Sequence, residues 1–109
     1  MTTIGFLSTA PVTEDSMAPA VADAIEALEE YDVSYETGPM GTTIEADDVG
    51  ELLAAVEAAH RAIDADRVST FLKIDDKRTS EGSALEKVES VESHLGRPAR
   101  SETTRADQE

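Results

Sequence analysis

The sequence predicts an α+β fold: a four-stranded antiparallel sheet with two helices on one face, plus a C-terminal helix. Three observations carry this. Short extended stretches alternate with stretches of helical spacing in the order strand, helix, strand, strand, helix, strand. The second and third strands are joined only by a Gly38-Pro39 turn, so they form a hairpin. The length, 109 residues, suits one domain with a single modest core. This order is the split βαβ, or ferredoxin-like, pattern, which leaves one sheet face open.

Each element has its own signal. Residues 3–9, TIGFLST, read as a strand ended by Pro11. Ile4 and Phe6 lie on one parity and Leu7 on the other, so both faces of this strand are expected to be covered. Met17, Val21, Ile25 and Leu28 recur at helical spacing, with Ser16 as N-cap, Pro19 in the first turn and an end near Tyr31. Residues 33–37 and 40–46 form the hairpin. Asp48 and Glu51 make a capping-box spacing ahead of Val49, Leu52, Leu53, Val56, His60 and Ile63. Residues 67–75, RVSTFLKID, are the last strand, and Asp75-Asp76-Lys77-Arg78 reads as a charged turn after it. Ser83 and Glu86 make a second capping box before Leu85, Val88, Val91 and Leu95, and Gly96 stops that helix. The domain thus spans 1–96. Residues 97–109 are polar and aperiodic and are expected to be a disordered tail.

In the last strand Val68, Thr70, Leu72 and Ile74 share the core parity, whereas Ser69, Phe71, Lys73 and Asp75 share the other. Phe71, joined by Leu7, is expected on the open face, and such a patch invites a second subunit or a ligand.

Composition excludes several functions. The chain carries 24 acidic against 9 basic residues, a net charge of −15. Phosphate contacts need Lys and Arg, so nucleic acid and anionic membrane surfaces are disfavoured. Two readings of the excess remain: adaptation to a salty cytoplasm, which is the expected one, and an acidic surface that steers a cationic ligand. Cysteine is absent, so there is no disulfide or thiolate metal site. The N-terminus has no basic region or long apolar run, and nothing approaches the ~18 apolar residues of a membrane span. A cytoplasmic protein is expected. No GxSxG, P-loop or GxGxxG occurs, and His60 and His94 lack partners at metal-binding spacing.

One stretch stands out. In Gly38 to Asp48, GPMGTTIEADD, two threonines and a glutamate occupy a strand where valines would serve. Alternation puts Thr43 and Glu45 on one face and Thr42 on the other. On spacing alone the threonines are equally ordinary strand formers, and Glu45 an acid preceding a helix.

Pro39-Met40-Gly41-Thr42-Thr43-Ile44-Glu45 resembles the hallmark segment of the small thiamine-binding protein family, a YkoF-like, ferredoxin-fold group. Residues 67–78, RVSTFLKIDDKR, and 86–95, EKVESVESHL, are similar to that family's last strand and closing helix. The resemblance spans roughly residues 3–95. It implies a non-enzymatic binder of thiamine or its pyrimidine part, assembled as a dimer or tetramer through open sheet faces. It implies a ligand set of Thr42, Thr43, Glu45, Phe71, Lys73 and Asp75, with Phe71 or Tyr35 as the flat apolar surface, and no metal, cofactor or catalytic residue. The alternative is a ligand-sensing regulatory or scaffold module of the same fold; a small enzyme using the open face is a third reading.

If the acidic excess is salt adaptation, molar KCl shortens the Debye length to about 3 Å and screens self-repulsion. The thermal unfolding midpoint should then rise from low to molar KCl; a flat or falling midpoint removes this reading.

Overall fold

The computed structural model describes residues 2–79 and 82–101. Its elements are β1 (Thr2–Pro11), α1 (Ala18–Leu28), β2 (Ser34–Thr37), β3 (Thr42–Ala46), α2 (Val49–Ala62), β4 (Val68–Lys77) and α3 (Ala84–Leu95). The four strands form one antiparallel sheet in the order β2-β3-β1-β4. This is the ferredoxin-like α+β arrangement. Helices α1 and α2 pack on each other and on one face of the sheet, hereafter the helix face.

The register assigns every side chain to a face. Leu7 pairs with Thr42 of β3 and Leu72 of β4, and Gly5 with Ile44 and Ile74. These residues look toward the helices. Leu7, Ile44, Leu52, Ala55, Ala59, Leu28 and Ala24 form the centre of the core. The expected place of Leu7 on the open face is therefore wrong: it is buried in the core, and Phe6 takes the open face. Apolar residues on both parities of β1 could not decide this. Gly5 does, because a Cβ there would lie 3.0 Å from a Leu52 methyl. The core fills up against the backbone at that point.

Element ends differ from the sequence reading in several places, among them β3, which begins at Thr42 and not at residue 40. Strand β1 runs through Pro11, at its last position, instead of stopping before it. Helix α1 is capped by Met17, without a side-chain cap bond, and not by Ser16; the Ser16 hydroxyl accepts from Ala18 N at 3.3 Å. The helix ends at Leu28, and Glu29, Glu30 and Tyr31 follow with tighter i→i−3 bonds. Strand β4 continues through Asp75, Asp76 and Lys77, which pair with Ile4, Thr3 and Thr2, so these charges belong to a strand and not to a turn.

Both predicted capping-box positions mark true helix starts, but only the second forms a full box, because the Glu51 carboxylate accepts from Asp32 N at 2.9 Å. Asp48 accepts from Glu51 N at 3.0 Å at the head of α2. At α3, Ser83 accepts from Glu86 N while the Glu86 carboxylate accepts from Ser83 N, both at 3.2 Å. Gly96 closes α3 in the left-handed region at φ 74°. Residues 97–101 follow irregularly, with Ala99 N donating to Glu92; the rest of the predicted tail lies outside the described residues.

Leu52 is fully buried between α2 and Gly5. Leu52→Ala should lower unfolding free energy by about 2–5 kcal/mol through lost transfer energy and the cavity left behind. Urea denaturation checks this.

Candidate functional site

The open face is ordered in rows. Thr43, Phe6 and Lys73 lie side by side across β3, β1 and β4, and Glu45, Ile4 and Asp75 form the next row. Ser8 and Phe71 pair beyond them. With strands about 4.8 Å apart, Thr43 and Lys73 sit roughly 10 Å from one another. Thr43 and Glu45, two residues apart on one strand, lie about 7 Å apart.

Helix α3 makes a pocket of part of this face. Its first backbone amide, Ala84 N, donates to Glu45 Oε1. One turn later Lys87 Nζ donates to Asp75 Oδ2. The helix meets the sheet through this first turn, and none of its side chains is buried. Leu85 and Val88 then face a pocket of about 500 Å³ whose floor holds Phe6, Thr43 and Glu45 and whose far end holds Met40. That volume suits a small organic ligand, as does an apolar lining with few polar groups. Its charged lining residues are Glu36 and Glu45, both acidic.

Gly41 lets the floor form. A Cβ there would meet the Phe6 ring at 2.5 Å and the Leu7 carbonyl oxygen at 2.8 Å. Only a glycine allows the β2–β3 turn, closed by Gly38 N donating to Gly41 O at 2.8 Å, to lie this close to β1.

Of the six residues expected to bind ligand, Thr43 and Glu45 line the pocket. Phe71, Lys73 and Asp75 share its face but lie on β4, outside its lining. Thr42 is on the helix face, 4% exposed, its hydroxyl 3.0 Å from that of Thr37. Tyr35 also faces the helices, and its hydroxyl donates to Glu29 at 2.6 Å, which raises the phenol's pKa. Phe6 lies on the pocket floor, and Tyr35 is also among the lining residues while its hydroxyl turns to Glu29. Met40 precedes β3 and is 80% exposed. Sequence reasoning missed Phe6, Leu85 and Val88. Phe6 lies on a strand apolar on both parities, which hides its face, and the other two lie some forty positions from the strand they cover.

The histidines stand apart from the pocket. His60 Nδ1 is 2.6 Å from Thr70 Oγ1, which is 2.6 Å from Thr9 Oγ1, tying α2 to β4 and β1. His94 Nδ1 lies 2.9 Å from the Ser90 carbonyl oxygen within α3. Among the described residues no cluster of three or more His, Cys, Asp or Glu is arranged to hold a metal, and no helix is long and apolar enough to cross a membrane.

The sequence pattern of the family described as thiamine-binding protein matches residues 6–92. The chain belongs to this family. A UPF0045 protein of Methanothermobacter thermautotrophicus is 47% identical over 83 residues, covering 73% of this chain and 84% of that protein. The crystal structure of a hypothetical protein from Methanocaldococcus jannaschii superposes with a TM-score of 0.76 at 33% identity, covering 83% of this chain and 95% of that one. A Thermotoga maritima protein, assigned provisionally to thiamine biosynthesis or salvage, superposes with a TM-score of 0.72 at 26% identity, covering 84% and 99%. The matched family segment runs from the Phe6 floor through most of the α3 wall.

Asp75, beside the pocket on β4, is held ionised by the residue that ties α3 to the sheet. The hydrogen bond from Lys87 holds its pKa below the ordinary carboxylate range, helped by the charges of Lys87, Lys77 and Lys73. A depressed folded-state pKa stabilises above the unfolded value and loses that contribution as pH falls through the folded one. Lys87→Met should therefore raise the Asp75 midpoint toward the ordinary range, read by carbon-detected NMR. An unmoved midpoint would show that Lys87 does not hold this carboxylate.

Proposed function

We propose that the pocket binds thiamine or a thiamine-related aminopyrimidine, and that the protein works as a soluble homo-oligomer that binds this ligand without transforming it. The observation that carries the reading is the pairing of Thr43 and Glu45 on the pocket floor beside the Phe6 ring. A hydroxyl that donates or accepts and a carboxylate about 7 Å away match the edges of an aminopyrimidine. The carboxylate takes the amino protons, and the ring packs on Phe6 and on Leu85 and Val88 opposite. Glu36 and Glu45, the charged residues of the lining, favour a cation such as a thiazolium over an anion. Membership of the thiamine-binding family supports the same ligand class. A carboxylate has about four lone-pair positions, so Glu45 can hold Ala84 N and still accept from a ligand.

The exposed apolar residues Phe71 on the sheet and Leu85, Val88, Val91 and Leu95 on α3 support an assembly that covers them. The regulatory alternative draws on the same contact: the carboxylate that would meet the ligand also anchors α3.

Glu45→Gln decides the ligand reading. Its amide oxygen can still accept from Ala84 N, so the α3 wall should survive while the charge is lost. Calorimetric titration with thiamine and with hydroxymethylpyrimidine should show binding at least tenfold weaker, as expected for a charge-assisted bond of about 1.5–3 kcal/mol. Thr43→Val should cost about 0.5–1.5 kcal/mol. Undiminished affinity in Glu45→Gln would leave that carboxylate with a structural role alone. No heat from the wild type with either compound would remove the thiamine reading.

A further inference from the structure

The chain has three methionines and no cysteine, so no thiol competes with a thioether for a peroxide. Met1 lies outside the described residues. Met17 caps α1 and is 49% exposed, whereas Met40, in the β2–β3 turn, is 80% exposed. Of these two, only Met40 lines the open-face pocket.

The turn that carries Met40 is fixed, and its side chain is adaptable. Pro39 restricts φ, Gly38 N donates to Gly41 O, and Gly41 lies against the Phe6 ring with no room for a Cβ. The methionine side chain adds three rotatable bonds and a polarizable sulfur to that fixed backbone. It lines the pocket and also a second cavity, of about 180 Å³, between the turn and α1 on the helix face. Leu85 and Val88 give the first lining its apolar character, and Val21 and Ile25 the second.

Oxidation here changes the wall of the pocket and leaves its floor alone. The sulfur lone pair attacks one oxygen of a hydroperoxide. An S–O bond forms, the O–O bond breaks, and the leaving oxygen takes up the remaining proton, so that hydrogen peroxide yields water. Sulfur loses two electrons and the peroxide gains them. The sulfoxide is polar, and burying it against Leu85, Val88 and a ligand ring without a donor is unfavourable. Glu36 and Glu45, the charged residues of the lining, are carboxylates and offer it no donor.

We propose that Met40 is a reversible oxidation site, and that its sulfoxide weakens ligand binding in the open-face pocket. Its effect on affinity rests on the ligand reading above; its selectivity over Met17 rests on exposure alone.

Brief treatment of the wild type with hydrogen peroxide, followed by mass-spectrometric peptide mapping, should find Met40 oxidised before Met17. Saturating thiamine should slow the oxidation of Met40 and not of Met17. By calorimetry the oxidised wild type should bind thiamine roughly two- to tenfold more weakly, the range for one lost sulfur–ring contact. Methionine sulfoxide reductase should restore the affinity. Met40→Leu, whatever its starting affinity, should keep it through peroxide treatment, whereas Met17→Leu should weaken as the wild type does. Met17 oxidised first, an oxidised wild type of undiminished affinity, or a Met40→Leu protein that weakens on treatment would overturn the proposal. If the reduced wild type gives no heat with thiamine, the ligand reading fails separately. The methyl resonances of Leu85 and Val88 then decide: they should shift when the free wild type is oxidised and stay fixed in treated Met40→Leu, and unshifted resonances in the wild type would overturn the proposal.

Discussion

The contact between the Glu45 carboxylate and the Ala84 amide is what gives this protein a pocket. A sheet covered by helices on one side has an open, nearly flat opposite face, and a flat face encloses nothing. Glu45 takes up the first orphan amide of α3, a group that the helix itself cannot satisfy. A carboxylate is also the favoured partner at a helix N-terminus. The capping box of Ser83 and Glu86 satisfies further first-turn groups, and Lys87 on Asp75 makes a second tie one turn on. The helix is thereby held across the rows of the sheet, and its apolar residues become a wall.

The side on which that carboxylate lies is fixed by the core, not by the pocket. Ile44, between Thr43 and Glu45, is fully buried against the helices, and Thr42 and Ala46 flank it on the same face. Slipping β3 by one residue would carry Ile44 into solvent and the carboxylate into the core. The packing of Ile44 with Leu7, Leu28 and Leu52 thus presents Thr43 and Glu45 to the open face. Gly5 and Gly41 belong to the same constraint from two sides: one admits Leu52 to the backbone, the other admits the hairpin turn to Phe6.

Much of this was legible in the sequence because it is local. Helical spacing in 49–63 and 85–95, with a side-chain N-cap at capping-box spacing ahead of each, places α2 and α3 almost to the residue. The order of elements gives the sheet topology. The start of α1 was misplaced because Met17 caps without a side-chain bond, so no cap signal exists to read. The end of β4 was misplaced because its last three residues are charged, which an edge strand tolerates and a central one would not. The Leu7–Phe6 exchange shows where periodicity fails: a strand apolar on both parities does not say which face meets the helices. The anchoring of α3 on Glu45 joins residues 39 apart and has no periodic signature. Thr43 and Glu45 could be paired from alternation alone, whereas the wall that completes their site could not.

The most direct test of this account follows the amides of Ala84 and Thr43 by NMR during a titration with thiamine. If Glu45 joins the α3 wall to the ligand, both resonances should move with a single saturating curve, together with those of Leu85 and Phe6. Resonances that stay fixed on α3 and β3 while others move elsewhere, or none that move at all, would contradict it.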